Sequence, residues 1–366
     1  MFTNAFQGKR VLVTGHTGFK GSWLCEWLLR LNAEVHGISL PATEGQELFS
    51  QLHLLTRIDE HFEVDIRDAG LLSSVVQSVK PDFVFHLAAQ PLVRKSYHEP
   101  ALTVETNVMG TINVLEALRG LSSACTAIII TTDKCYENRE WLHAYRESDA
   151  LGGHDPYSAS KACAEVVTHC YRNSFFSSIS EIRVASARAG NVIGGGDWAE
   201  DRIVPDIVQA VRSGSPVEVR NRYATRPWQH VLEPLSGYLR LASVTSSATF
   251  QNARQFDSFN FGPNLDANRS VADLVQEFLT HMDGTWVDKT VENEPHEAGR
   301  LNLAIDKAHH LLGWMPCWDF AKAVSQTSRW YQNEVEGGDV LGMTQQQIDE
   351  YCSTALKKQI SWALKN

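Results

Sequence analysis

No stretch of the 366 residues approaches the roughly 18 unbroken apolar residues that a membrane helix needs. There is no basic tract either. The formal net charge is −10, which disfavours general binding to nucleic acid or to an anionic membrane and leaves an anionic ligand to a local basic patch. Cysteine is scattered. The seven residues Cys25, Cys125, Cys135, Cys163, Cys170, Cys317 and Cys352 are odd in number and free of CxxC spacing. They point to a reduced, cytoplasmic setting without structural zinc. His309 and His310 are adjacent but lack a partner cluster, so they read as surface residues of a helix and no metal is expected. MFTNAFQGKR has no apolar signal core and runs straight into a strand. Internal repeats and low-complexity segments are absent.

What is present is an ordinary globular balance, 43% apolar and 21% charged. Short apolar runs recur: RVLVTG (10–15), EVHGISL (34–40), HFEVDI (61–66), FVFHLAA (83–89), TAIIITT (126–132) and IRVASAR (182–188). Between them GSWLCEWLLRLN, LLSSVVQSVK, NVMGTINVLEALRG and KACAEVVTHCYRN carry helical periodicity. This alternation predicts an α/β, Rossmann-type, doubly wound parallel sheet. Beyond about residue 190 the pattern loosens, and GGGDWAEDRIVPD and RNRYATRPWQH read as loops. A helix at about 230–245 and the strand SFNFG (258–262) return to the sheet. Further helices are expected around LVQEFLTHM, AHHLLGW and KKQISWALKN. The division expected is a dinucleotide-binding domain over 1–190, returning at about 230–263, and a smaller, discontinuous mixed α/β substrate domain over 191–229 and 264–366.

VTGHTGFKG spans a strand end, a glycine-rich turn and a helix start, with Gly15, Gly18 and Gly21 spaced GxxGxxG around Phe19 and Lys20. Glycine permits the tight turn and the approach of backbone to phosphate, and the helix N-terminus offers free N–H groups. In that context the motif points to a dinucleotide. The usual ribose-binding acid is replaced by Ser39, which leaves NAD against NADP undecided at this position. Asp65-Ile66 reads either as an adenine clamp or as an ordinary strand-end pair.

HDPYSASKACAEVV opens a helix, with Asp155 as N-cap and Pro156 in the first turn. Tyr157 and Lys161 then share a face at i and i+4. A lysine there favours the phenolate and makes Tyr157 a base. Upstream, Thr132 precedes an acid and a base, Asp133 and Lys134, at the mouth of a core strand. A salt bridge is one reading; a proton donor beside a proton acceptor is the other.

These residues resemble the extended short-chain dehydrogenase/reductase family. The resemblance runs over nearly the whole chain and adds HLAA (86–89), Thr106 and Asn107 beside NVMGT, and RAGNVIG (188–194). It implies NAD as cofactor, with Leu87, Ala88, Ala89 and Thr106 in the cofactor wall. RAGNVIG and TTDK are similar to the sugar-nucleotide 4,6-dehydratase branch, although most members carry Asp-Glu where this chain has Asp133-Lys134. GHTGFKGSWL, TTDKCYEN, GGGDW and RPWQHVLEP are similar to the group taking CDP-linked glucose. The resemblance implies that Tyr157 takes the C4 hydroxyl proton, Thr132 holds that oxygen, Asp133 is the acid and Lys134 the base or a charge stabiliser. It implies Asn191, Trp198, Arg202, Arg226, His230 and Arg300 on the substrate. It also implies a homo-oligomer, a dimer or tetramer, built on a four-helix face. Arg220 and Arg222 read equally well as a solvated loop, and Tyr223 and Trp228 as packing surfaces for a base or sugar. A 4-epimerase on the same scaffold, needing no Asp133, and a non-catalytic dinucleotide sensor, needing no Tyr157/Lys161 pair, are the rival readings.

Overall fold

The computed structural model describes residues 1–42, 47–176, 181–247, 255–290 and 300–364. Seven strands form the central sheet: β1 (Arg10–Thr14), β2 (Glu34–Ser39), β3 (Glu60–Glu63), β4 (Phe83–His86), β5 (Cys125–Ile130), β6 (Ile182–Ala189) and β7 (Ser258–Phe261). Their order is β7-β6-β5-β4-β1-β2-β3, and every pairing is parallel. β1 lies between β2 and β4, so connections leave it in opposite directions. That reversal opens a crevice at the carboxyl ends of the strands.

The main helices are α1 (Phe19–Arg30), α2 (Ala69–Val79), α3 (Gly110–Arg119), α4 (Pro156–Ser174), α5 (Ile203–Ser213), α6 (Leu232–Ser247), α7 (Val271–Leu279), α8 (Phe320–Val335) and α9 (Val340–Lys357). Alternate strand residues face opposite layers. Leu12, Val84, Ala127 and Ile129 pack with Leu72, Val76, Val114 and Leu118 of α2 and α3. Val11, Val13, Phe85, Ile128 and Ala187 pack with Trp23 and Leu28 of α1 and Leu235 of α6. Burial on both faces is why the strands read as continuous apolar runs.

The strands stop short of the apolar runs. β3 ends at Glu63, β4 at His86 and β5 at Ile130. The residues beyond, Val64–Ile66, Leu87–Ala89 and Thr131–Lys134, line the crevice instead. Two expectations differ at the helices. RIVPD lies within and around the start of α5, because Pro205 falls in its first turn, where no intrahelical N–H is lost. The helix expected at KKQISWALKN is not found over residues 358–364: α9 ends at Lys357, and the following turns drive Trp362 into the core, stacked at 4.8 Å on Phe2, while residues 365–366 lie outside the described residues. The same core runs without a seam from the sheet into the tail, where Trp27 of α1 meets Tyr351 of α9 and Arg30 pairs with Asp349. His309 and His310 are exposed on a π turn, Ala308–Leu312.

Glu233 at the start of α6 ties this tail to the sheet. Its buried carboxylate accepts from the Cys317 N–H at 2.9 Å, the Trp318 N–H at 2.6 Å and the Tyr351 hydroxyl at 2.6 Å. Glu233→Ala strands these donors, at about 1–3 kcal/mol each, and a loss of at least about 3 kcal/mol is expected by urea denaturation. Burial pushes Glu233 up to about 7 from 4.5, against the pull of its donors. A raised folded value stabilises the fold fully below the unfolded value and loses that contribution as pH rises through the folded one. The Tm of the wild type relative to Glu233→Gln is therefore expected to fall between about pH 5 and 8.

Candidate active site

The crevice is a cavity of about 1940 Å³ walled by the carboxyl ends of β1 to β6 and by the segments after β6. At its floor the turn after β1 holds Gly15 in a left-handed conformation, φ +73°. A Cβ there would stand 2.7 Å from the Ala88 nitrogen, and one on Gly21 would stand 2.2 Å from the Gly15 carbonyl oxygen. The turn can close only without side chains. Gly18 caps α1 with no side-chain hydrogen bond, so the first N–H groups of the helix remain for a ligand. This side-chain-free cradle fits the phosphates of a dinucleotide. Ser39, 5% exposed, lies along the wall, its hydroxyl donating to the Leu40 carbonyl at 2.8 Å. Asp65 is clasped by Arg67, at 2.9 Å to Nε and 2.6 Å to Nη2, and those bonds hold its carboxyl below the usual range. Ile66, Leu87, Ala88, Ala89 and Thr106 complete this half.

Across the cavity, α4 begins where Asp155 accepts from the Ser158 N–H at 2.9 Å. That cap sets Tyr157 and Lys161 on the inward face. Lys161 Nζ donates to the Ile130 carbonyl at 3.2 Å. Burial brings its ammonium down to about 8 and pushes the Tyr157 phenol up to about 12, while the Thr132 hydroxyl beside the phenol works against that rise. Asp133 and Lys134 are not on a strand. Asp133–Cys135 is a single 3-10 turn, capped where the Thr132 hydroxyl accepts from the Lys134 N–H. The turn lets two adjacent side chains face one cavity, where a strand would have sent them apart. Asp133 has no exposure; its Oδ1 accepts from the Thr132 hydroxyl at 3.0 Å and its Oδ2 has no partner. Lys134 Nζ stands 3.9 Å from Oδ1, in contact but not hydrogen-bonded. A Cβ on Gly190 would lie 2.2 Å from Oδ2.

Such a group can take a hydroxyl proton at Tyr157 and move a second proton at Asp133. Lys20 adds a cation to the same wall, and burial brings it down to about 8, with Arg202 pushing the same way.

The third side comes from the chain after β6. Asn191, Trp198, Arg202 and Arg226 all line it. Trp228, 4% exposed, lines it too and donates from Nε1 to the Arg269 carbonyl. Arg220 is held by Asp201 at 2.7 Å and Asp206 at 3.0 Å and lies on the rim of the wall, still partly open to solvent. Arg222 faces Asp288 and Tyr223 is 69% exposed, both outside the cavity wall.

Two expected residues are elsewhere. His230 has no exposure and sits between Trp23 and Trp318, its Nδ1 accepting from the Leu232 N–H. The bridge strand Gln229–His230 pairs with Val192–Ile193 and turns the imidazole into the core, where burial lowers it to about 3 and keeps it neutral. Arg300 is exposed and lies outside the cavity wall, and residues 293–299 of its stretch lie outside the described residues. Asn107 is buried beneath the wall, donating to the Ser160 hydroxyl at 2.8 Å and to the Gln90 carbonyl.

Sequence reasoning missed Asp197, which is 5% exposed and accepts from Arg202 at 2.6 Å, and Arg94, which reaches Asp201 at 3.7 Å. The acid-rich spacing of GGGDWAEDR was the available signal for Asp197. Arg94 carried none.

Residues 12–327 match the family described as GDP-mannose 4,6 dehydratase. The chain is 44% identical over 362 residues to a CDP-glucose 4,6-dehydratase of Salmonella typhimurium, covering 97% of this chain and 99% of that one. It is 25% identical over 344 residues to a dTDP-glucose 4,6-dehydratase of the same organism, covering 88% and 92%. Among solved structures, a dTDP-glucose 4,6-dehydratase from Streptomyces venezuelae superposes with a TM-score of 0.77 at 24% identity, covering 91% and 99%. A Thermus thermophilus UDP-glucose 4-epimerase in complex with NAD gives 0.75 at 25% identity, covering 88% and 99%.

Gly15→Ala tests the cradle. A Cβ there meets both a positive φ and the Ala88 backbone. Dinucleotide affinity, read by fluorescence titration, is expected to fall by at least about a hundredfold, because backbone can no longer approach the phosphates.

Proposed function

The chain belongs to the GDP-mannose 4,6 dehydratase family, and from that premise we propose that it converts CDP-D-glucose to CDP-4-keto-6-deoxy-D-glucose and water, with NAD as cofactor. The observation that carries the reading is the Asp133 carboxyl group, with one oxygen unpartnered, in the same cavity as Tyr157, Lys161 and Thr132. An alcohol dehydrogenase or an epimerase needs the last three only. A further acid is what loss of water adds.

The glycine turn, Ser39, Asp65 and Lys161 would hold NAD. When bound, its chemistry is hydride acceptance at C4 and hydride return at C6. Tyr157 takes the C4 hydroxyl proton, and the Thr132 hydroxyl hydrogen-bonds that oxygen by turning its proton from Asp133 Oδ1 to the substrate. The Lys161 ammonium favours the phenolate. The resulting ketone acidifies C5, and Lys134 removes the C5 proton. Asp133 gives its proton to the C6 hydroxyl, which leaves as water. Lys134 then returns a proton to C5, and the proton collected by Tyr157 replaces the one Asp133 gave. One water is lost and the cofactor ends as it began.

The 3.9 Å contact between Lys134 and Asp133 favours a second reading of Lys134, as a retained cation stabilising the enolate. On the substrate side we assign the diphosphate to Arg226, Asn191 and Arg202, with Trp198 against the sugar nucleotide. Support comes from the local need for cations in a chain of net charge −10. We further propose that segments 191–229 and 264–366 act as the substrate-binding part. We propose a homo-oligomer through α3 and α4, where Met109, at the start of α3, and Val166 on α4 are 48% and 55% exposed. The seven unpaired cysteines favour the cytoplasm.

Incubation with NAD⁺ and CDP-glucose should give a product lighter by one water on mass spectrometry. An unchanged mass with an inverted C4 hydroxyl on NMR would make the protein an epimerase. Asp133→Asn is expected to lower turnover by about 10²–10⁴-fold while bound NADH still accumulates at the nicotinamide absorbance. Lys134→Arg separates the two lysine roles, because it keeps the charge but cannot act as a base. Turnover within about tenfold of wild type would favour the stabiliser.

A further inference from the structure

Behind the catalytic face lies a buried carboxylate that the mechanism above does not use. Glu165 is 3% exposed and sits one turn beyond Lys161 on α4. Its Oε1 accepts from the Thr131 hydroxyl at 2.5 Å. Its Oε2 accepts from the Ser186 hydroxyl at 2.7 Å and from Arg188 Nη2 at 2.8 Å. Arg188 Nη1 continues to the Tyr136 hydroxyl at 2.8 Å, and that hydroxyl donates to Asn260 of β7 at 2.7 Å. One carboxylate thus joins α4, the residue before Thr132 and two positions of β6. Two residues past Arg188 is Gly190, the position that leaves room for Asp133 Oδ2.

We propose that Glu165 is a positioning residue for dehydration: it fixes the ends of β5 and β6 beneath Thr132 and Asp133, and its charge supports the Lys161 ammonium. The inference rests on the assignment of Tyr157 and Lys161 to C4 oxidation. A tie serving stability alone would need no charge, since a buried pair can often be replaced by apolar groups without loss. Here the charge has a second recipient. Among the described residues, the groups that face Lys161 electrostatically are Glu165, Cys135, His86 and Lys20. His86 is held neutral by burial, Cys135 is a buried thiol with its value pushed up, and Lys20 is a cation. Glu165 is therefore the resident anion on that side, holding Arg188 with its far edge. Burial lowers Lys161 and Glu165 opposes that shift.

Glu165→Gln keeps the shape and removes the charge. With CDP-glucose, kcat is expected to fall about 10- to 100-fold with KM within about threefold. The basic limb of the kcat profile should move to lower pH, because Lys161 loses its proton sooner. Titration of the Lys161 ammonium, read by NMR of side-chain-labelled lysine against Lys161→Met without cofactor or substrate, should move to lower pH. Glu165→Asp should restore the basic limb. A folded Glu165→Gln with wild-type kcat, basic limb and Lys161 titration would reduce Glu165 to packing. If Glu165→Gln does not fold, Thr131→Val removes a single tie, and an unchanged kcat in that variant would equally overturn the proposal. Failure of the wild type to dehydrate CDP-glucose would sink the functional reading alone, since the Lys161 titration needs no substrate.

Discussion

The Asp133 carboxylate is the feature to which the rest of the architecture answers. It has no exposure, one oxygen on the Thr132 hydroxyl, the other unpartnered, and a lysine in contact but not hydrogen-bonded. Burying such a group is unfavourable by several kcal/mol, on the order of the desolvation of one charge or polar group. It persists because its neighbours have nowhere to go. Thr132 caps the 3-10 turn that carries it, Gly190 leaves it space, and β5 and β6 on either side are locked in a buried parallel ladder. A rigid sheet is what allows a half-satisfied carboxyl group to stay buried in the cavity wall.

The same logic organises the cations. A chain of net charge −10 gathers Lys20, Lys134, Lys161, Arg202, Arg220 and Arg226 around one cavity. They do not repel it open, because carboxylates are interleaved: Asp197 on Arg202, Asp201 and Asp206 on Arg220, Glu165 behind Lys161. Each pair fixes a side chain in direction, which matters more for a catalytic site than the modest stability of a part-exposed pair. The glycine turn plays the complementary part by offering backbone N–H groups where a side chain would block approach.

Much of this was legible beforehand, for stated reasons. Both-face burial makes parallel strands read as apolar runs, so the sheet was plain from RVLVT to SFNF. Tyr157 and Lys161 were plain because helical spacing alone puts them on one face. Ser39, Asp65 and the HLAA residues fell into the wall because strand ends in such a sheet converge there. His230 was misplaced because a short bridge strand to Val192–Ile193, which no local pattern announces, turns its ring into the core. Residues 358–364 are not helical although their apolar residues keep the helical period, because Trp362 is drawn aside by stacking on Phe2, far away in sequence.

Local information was thus enough for the fold class, the dinucleotide turn, the Tyr157–Lys161 pair on one helix face and the presence of an acidic and a basic side chain at residues 133 and 134. These depend on periodicity, capping and glycine, all short-range in the chain. Long-range contacts alone decided that Asp133 keeps an oxygen free and that Lys134 stands off from it. They also decided that Arg220 is clasped while Arg202 is steered by Asp197, and that Glu165 underpins the catalytic turn. A side chain's protonation and aim are set by what surrounds it in space, and residues 52 or 124 positions apart, as in Arg188–Tyr136 and Tyr136–Asn260, meet only when the sheet has formed.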